Sequence, residues 1–150
     1  MCSFRPDLIY SGCLGSKDKM KPISILLVDD NPTFWRIVTR FLQEHGDVMV
    51  AGTASGGEEA LALARDLQPD IVLIDLAMPG LSGLETIPRL RAMLPAVGII
   101  ALTVLDINSY RQAALAAGAN DFVPKASLDT DLLPAIRQVA QAGPCQPEGG

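Results

Sequence analysis

Short apolar runs alternate with stretches of helical periodicity from residue 23 to residue 140. Each apolar run is rich in branched aliphatic side chains and is short enough to be a β-strand. The third run is almost wholly apolar, so we expect both of its faces to be covered. The five predicted strands are residues 23–28, 48–53, 71–74, 98–102 and 120–123.

After each predicted strand, apolar residues recur at the spacing of an amphipathic helix and predict five helices. Ser82 can cap the third helix, and Gly118 can end the fourth. Pro88 lies inside the third helix and should kink it, because the proline ring displaces a backbone hydrogen bond. Pro134 is expected in the first turn of the fifth helix, where it is tolerated. The apolar positions span residues 34–42, 60–67, 84–94, 110–117 and 132–140.

Five strand–helix units in succession predict an α/β fold, a doubly wound parallel sheet with helices on both faces. The crossovers between parallel strands are expected to be right-handed, which leaves few topologies. Sheets of this kind bind ligands outside the carboxyl ends of their strands, where the strand order reverses. This rule directs attention to the polar residues that follow each predicted strand.

The periodic part of the chain predicts one domain over residues 22–142. Residues 1–21 have no period and are expected to be a disordered N-terminal extension. Met20 begins a segment typical of a protein start, so one hypothesis is that Met20 is the natural initiator; a genuine tail is the alternative. Residues 143–150 are rich in proline and glycine and predict a flexible tail.

Composition narrows the classes of function. Of the 150 residues, 49% are hydrophobic and 19% charged, which is typical of a globular domain. The net charge of −5 offers no electrostatic footprint for nucleic acid. No apolar run is long enough for a membrane span. The three cysteines lie near the ends of the chain and form no CxxC pair, which favours a reducing, cytoplasmic location.

Polar residues with complementary chemistry follow four of the predicted strands. They are Asp29, Asp30, Asp75, Thr103 and Lys125. Taken singly, each aspartate is best interpreted as a turn former or helix cap, and the lysine as a surface residue. Together at one sheet edge, three carboxylates require a cation, and Mg²⁺ suits oxygen ligands and water. A carboxylate nucleophile beside a metal, a lysine and a hydroxyl predicts phosphoryl transfer.

Four segments carry a family resemblance. The sequences LLVDD, DIVLIDLAMPGLSGLE, ALT and GANDFVPK occur in this order within residues 21–142. They resemble the receiver domain of bacterial two-component response regulators, and most closely the receivers that precede a LuxR-type helix-turn-helix (the LuxR/NarL type). The resemblance implies a flavodoxin-like (CheY-like) sheet with strand order 2-1-3-4-5 and five helices.

The resemblance also implies a phosphoacceptor and a metal site. Asp75 would attack the phosphoryl group and become an aspartyl phosphate. Asp30 and Asp75 would ligate Mg²⁺ directly, and Asp29 would hold the ion through water. The backbone carbonyl of Ala77 would supply a further ligand.

Further roles follow from the same resemblance. Thr103 would donate a hydrogen bond to the bound phosphoryl group, and Lys125 would pair with another of its oxygens. Phe122 would be the aromatic switch whose rotamer follows Thr103. Pro124 would be preceded by a cis peptide bond that helps to aim Lys125.

Four positions depart from the family pattern. Ala77 offers no side chain to orient or block an attacking water. Val104 is larger than the residue common after the threonine and is expected to crowd the phosphoryl pocket. Phe122 lacks the hydroxyl of a tyrosine switch, so it can signal only by burial. Pro88 is unusual within the third helix.

The implied function is a signalling domain and not a turnover enzyme. A histidine kinase, a phosphotransfer protein or a small acyl phosphate would supply the phosphoryl group. The face formed by the fourth helix, fifth strand and fifth helix would then change shape and contact a downstream protein or a second copy in a homodimer. We expect no direct binding of nucleic acid and no membrane contact by this chain.

Three other classes of function are alternatives. A dehalogenase-like phosphatase needs two acids spaced as DxD, whereas Asp29 and Asp30 are adjacent. A flavodoxin-like cofactor binder needs a phosphate loop after the first strand, where these two aspartates would repel an anion. The chain could also be an inactive receiver that serves as a protein-interaction scaffold, or a fragment of a DNA-binding transcriptional regulator.

Overall fold

The computed structural model describes residues 22–78, 80–104 and 108–141. Its five parallel strands form one sheet with the order β2-β1-β3-β4-β5, which confirms the doubly wound α/β fold. The strands are β1 Ile23–Val28, β2 Val48–Ala54, β3 Ile71–Asp75, β4 Gly98–Thr103 and β5 Asp121–Pro124. The helices are α1 Pro32–Gln43, α2 Gly57–Leu67, α3 Gly83–Met93, α4 Asn108–Ala117 and α5 Leu128–Gln141. The predictions of an N-terminal extension over residues 1–21 and a tail over residues 143–150 concern residues outside the described ranges.

The apolar residues of the strands alternate between two core layers. Leu26, Val72 and Ile74 pack on one face with α2, α3 and α4. Ile25 and Leu73 pack on the opposite face with α1 and α5. All residues of β3 are buried, as expected for a central strand with helices on both sides. Burial on both faces fixes the register, and the register fixes which residues meet at the carboxyl edge.

The start of α1 determines which polar residues remain available for a site. The side chain of Asn31 accepts hydrogen bonds from the backbone N–H groups of Thr33 and Phe34, at 2.9 and 3.4 Å. Asn31 is therefore the helix cap. Since the cap is already supplied, the carboxylates of Asp29 and Asp30 are left for other partners.

Replacing Asn31 by alanine should lower the free energy of unfolding by about 1 kcal/mol, because two N–H groups of the first turn lose their acceptor. Urea denaturation measures the change. Thr33→Ala is the matched control, since Thr33 is also exposed in this turn but its side chain is not the cap. Equal stability of the Asn31→Ala variant and the native chain would contradict the capping role.

The other helix ends agree with the sequence pattern. Ser82 caps α3 and forms a capping box with Glu85. Gly118 follows α4 with a φ of +126°, a conformation that glycine adopts without strain. The α3 helix, Gly83–Met93, continues through Pro88. A bend of the helix at this proline stays a prediction.

Two expectations about proline were wrong. Pro134 does not lie in the first turn of α5, because the helix begins earlier, directly after a short 3-10 helix, Lys125–Ser127. Pro134 therefore cannot donate a helical hydrogen bond in the second turn. The described residues contain no cis peptide bond, so the bond before Pro124 is trans. Pro124 has extended dihedral angles (φ −66°, ψ 138°) and continues β5 opposite Thr103.

Candidate functional site

The strand register brings the chemically interesting residues to one edge of the sheet. Asp29 follows β1, Asp75 ends β3, and Thr103 ends β4. Val28 pairs with Ile74 across β1 and β3, so the residues that follow them are neighbours. Lys125 comes directly after β5.

Three carboxylates form a cluster at this edge. One oxygen from each of Asp29, Asp30 and Asp75 lies within 4.8 Å of the others. Asp29 is fully buried and Asp75 is 6% exposed, whereas Asp30 lies open to solvent. Within residues 22–78, 80–104 and 108–141, this is the one group of three acidic, histidine or cysteine side chains that could hold a metal.

Lys125 joins the two buried carboxylates. Its Nζ donates a hydrogen bond to Asp29 Oδ2 at 2.5 Å and lies 3.5 Å from Asp75 Oδ2. The ring of Phe34 in α1 lies below the same ammonium group, 4.1 Å from centroid to Nζ. The lysine therefore supplies one positive charge to a cluster of three negative charges. A net negative charge remains, and it can attract a cation.

The surroundings of Asp75 raise the pKa of its carboxyl group above the usual value. Burial raises the pKa of Asp75, the nearby charge of Lys125 lowers it, and the charge of Asp29 raises it again. Its Oδ1 also accepts a hydrogen bond from the backbone N–H of Ala77 at 3.3 Å. A desolvated carboxylate with its oxygens held by a lysine and a main-chain N–H is well placed to act as a nucleophile.

The donor set fits a hard divalent cation. All three side chains offer oxygen, and the exposed position of Asp30 leaves room for water ligands. Mg²⁺ prefers this combination of few carboxylates and several waters. The residues present therefore fit the magnesium ion expected from the sequence.

Thr103 and Phe122 lie on the β4 and β5 side of the cluster. Thr103 is 2% exposed, and Phe122 is 4% exposed within the core layer of α2, α3 and α4. The guanidinium of Arg111 in α4 lies 5.8 Å from the centroid of the Phe122 ring. The structure thus shows the aromatic side chain in an inward, buried position.

Val104 and Ala77, two of the departures from the family pattern, are both exposed. Val104 is 70% exposed and, with Phe34 and Ile37, lines a surface depression of about 460 Å³ beside Lys125. Its effect on access to the phosphoryl pocket stays a prediction.

Sequence reasoning missed the α1 residues that support this site. Asn31 donates its backbone N–H to Asp29 Oδ1 at 2.9 Å, and the indole N–H of Trp35 donates to the Asp29 carbonyl at 2.6 Å. Phe34 contacts Lys125, although the two residues are 91 positions apart in the sequence. The one available signal was Trp35, because a partly buried indole N–H usually has a partner.

A doubly wound parallel sheet with an acidic cluster and a lysine at its carboxyl edge defines a class of phosphoryl- or metal-binding α/β domain. The family model described as response regulator receiver domain matches residues 25–137. The chain belongs to this family, the receiver domains of two-component systems.

Individual relatives support the same assignment. The nitrate/nitrite response regulator protein NarL of Escherichia coli (strain K12) is 38% identical over 120 residues, which cover 80% of this chain and 56% of the relative. Response regulator GacA of Pseudomonas viridiflava is 37% identical over 117 residues, which cover 78% of this chain and 55% of the relative. The chain therefore spans about half the length of these curated relatives.

Solved structures agree with the fold. The receiver domain of the putative response regulator NarL from Mycobacterium tuberculosis has a TM-score of 0.76 and 31% identity, covering 81% of this chain and 98% of that structure. As a separate observation, no helix of the described residues is both long and apolar enough to cross a membrane.

Proposed function

We propose that Asp75 is the phosphoacceptor of this receiver domain. The observation that carries the proposal is the buried Asp75 carboxylate between two further carboxylates and the ammonium group of Lys125. A histidine kinase, a phosphotransfer protein or a small acyl phosphate supplies the phosphoryl group. An Asp75 oxygen bonds to phosphorus while the bond from phosphorus to the donor breaks, and the donor leaves with its electron pair.

The proposed metal ligands are the side chains of Asp30 and Asp75 and the backbone carbonyl of Ala77, with Asp29 acting through water. Bound Mg²⁺ supplies positive charge that offsets the negative charge of the transferring phosphoryl oxygens. One carboxylate oxygen of the exposed Asp30 lies within 4.8 Å of one of the buried Asp75, a separation that would let both residues hold the same ion.

Lys125 and Thr103 are proposed to hold the phosphoryl group once it is on Asp75. Lys125 Nζ already lies 3.5 Å from Asp75 Oδ2, so a small movement would bring it to a phosphoryl oxygen. The Thr103 hydroxyl would donate to a second oxygen from the end of β4. The hydrogen bonds from both residues would offset the repulsion between the negatively charged phosphoryl group and the Asp29 carboxylate.

Phe122 is proposed to be the switch residue. Phosphorylation draws Thr103 toward the phosphoryl group and stabilises Phe122 in its inward position. Since Phe122 is already buried here, the modification has to stabilise this rotamer rather than create it. This is a population shift between two states of the face formed by α4, β5 and α5.

The output of the switch is proposed to be contact between this face and a downstream protein or a second copy of the chain. A role within a DNA-binding regulator is the second candidate. Its support is the coverage of NarL, of which this chain matches 56%, and the structural similarity to a LuxR-family response regulator from Aurantimonas sp. SI85-9A1 (30% identity over 81% of this chain, TM-score 0.78). A cytoplasmic location is part of the proposal.

Metal removal tests the proposed chemistry. The full chain incubated with acetyl phosphate and MgCl₂ should gain the mass of one phosphoryl group, measured by intact-protein mass spectrometry. Chelation with EDTA should reduce the modified fraction to background, because the cluster then lacks a neutralising cation. A failure to bind either Mg²⁺ or beryllofluoride would instead support an inactive receiver that serves as a scaffold.

A further inference from the structure

A hydrogen bond links Trp35 in α1 to Asp29, the residue that follows β1. The indole N–H of Trp35 donates to the backbone carbonyl of Asp29 at 2.6 Å. The indole is half-buried and packs against the core layer of α1 and α5. Trp35 is the one tryptophan of the chain, and neither the proposed metal ligands nor the phosphoryl contacts include it.

This bond completes the set of contacts around Asp29. Its backbone N–H donates to Ala54 at 3.0 Å, and its Oδ1 accepts from Asn31 at 2.9 Å. Its Oδ2 accepts from Lys125. With Trp35 on the carbonyl, each of the four polar atoms of Asp29 has a partner in the protein. A residue held at every polar atom has little freedom to reorient.

The held carbonyl also belongs to the peptide group that joins Asp29 to Asp30. A peptide group is planar, so fixing the direction of the carbonyl fixes the direction of the N–H on its other side. The orientation of this plane sets where the Asp30 side chain leaves the backbone. Asp30 is exposed, so its placement depends on the backbone more than on packing.

We infer that Trp35 is a positioning residue that orients the Asp29–Asp30 peptide, and through it the Asp30 carboxylate, for Mg²⁺ binding. The inference rests on the proposed metal site. Its physical basis is pre-organisation: a ligand that is already oriented loses less conformational freedom when the ion binds. Trp35 itself touches neither the ion nor the phosphoryl group.

The test measures Mg²⁺ affinity separately from stability. Trp35→Phe in the full chain should raise the dissociation constant for Mg²⁺ roughly threefold to tenfold, the range that corresponds to the loss of one hydrogen bond. Isothermal titration with MgCl₂ gives the constant, and thermal unfolding gives Tm. Phe41→Leu is the matched control, because Phe41 is half-buried in the same helix and packs on the same core layer. Its dissociation constant should stay at the native value although its Tm falls.

A second substitution keeps the shape of the indole. A tryptophan analogue with sulfur in place of the N–H removes the donor and leaves the ring system. The protein that carries this analogue should bind Mg²⁺ as weakly as Trp35→Phe does, with a Tm closer to that of the native chain. If Trp35→Phe does not fold, the analogue alone tests the positioning role. Native affinity in the sulfur analogue would overturn the positioning role. If the native chain itself binds no Mg²⁺, the proposed metal site fails, and the role of Trp35 fails with it.

Discussion

Replacing Asp75 by asparagine is expected to abolish labelling by acetyl phosphate in the presence of Mg²⁺. The amide keeps the size of the side chain but has no carboxylate oxygen to attack phosphorus. The expected loss is complete, because the other carboxylates do not share the position of Asp75. Asp29 is engaged by Lys125, and Asp30 lies at the exposed side of the cluster. Intact-protein mass spectrometry after incubation measures the labelled fraction.

The same variant should remain folded. Since burial raises the pKa of Asp75 above its usual value, the ionised carboxylate is disfavoured in the folded state at neutral pH. An uncharged asparagine removes this unfavourable contribution, so Tm should be equal to or higher than that of the native chain. Replacing a carboxylate that stabilises the fold would instead lower Tm.

Asp66→Asn is the matched control for this experiment, because it makes the same chemical change at an exposed position of α2. It should be labelled like the native chain. Labelling of Asp75→Asn at the native rate, or on a peptide that contains Asp29 or Asp30, would reject Asp75 as the acceptor. Loss of labelling together with loss of the folded state would point to a structural role instead.

The fold was predictable because its signals are local and repeated. The strand β3 has apolar residues at four successive positions, and burial on both faces follows from its place between helices. The candidate site was predictable for a related reason. The carboxyl ends of parallel strands share one edge, so Asp29, Asp75 and Thr103 had to come close once the strands were assigned.

The rest depends on contacts that have no period. Nothing in the sequence pairs Phe34 with Lys125, or Trp35 with a main-chain carbonyl, because such contacts arise from the packing of α1 on the sheet. The start of α5 was misplaced because three polar residues, 129–131, follow Leu128, so the recurring apolar pattern becomes recognisable only from Leu132, one turn after the helix begins.

Arg91 is the clearest example of a residue whose structural role has no signal in the sequence. It lies in α3, and its guanidinium reaches the edge of the sheet opposite the acidic cluster. The Nη1 group donates to the carbonyls of Pro95 at 2.9 Å and Val97 at 2.6 Å. The Nη2 group donates to the Gly118 carbonyl at 2.8 Å and to Asn120 Oδ1 at 2.7 Å. One side chain therefore ties together the connections that precede β4 and β5.

Arg91→Met should lower the free energy of unfolding by about 3 kcal/mol, because four acceptors, including the partly buried carbonyls of Val97 and Gly118, lose a charged donor at once. For a domain of this size the loss corresponds to a fall in Tm of roughly 10 °C. Burial lowers the pKa of the Arg91 guanidinium, but the usual pKa of arginine is so high that the group stays charged at neutral pH. The contribution of Arg91 to the free energy of unfolding should therefore not vary over the neutral pH range. Chemical and thermal denaturation give both quantities.

Arg89→Met separates this role from a general effect of charge. Arg89 belongs to the same helix but is exposed, so its replacement should change stability by less than about 0.5 kcal/mol. Similar losses in the two variants would show that the hydrogen bonds of Arg91 contribute little. Because Arg91 lies at the edge opposite Asp75, the folded Arg91→Met protein should still be labelled by acetyl phosphate. The Arg91→Met variant is therefore expected to separate a contribution to stability at one edge of the sheet from the proposed phosphoryl chemistry at the other.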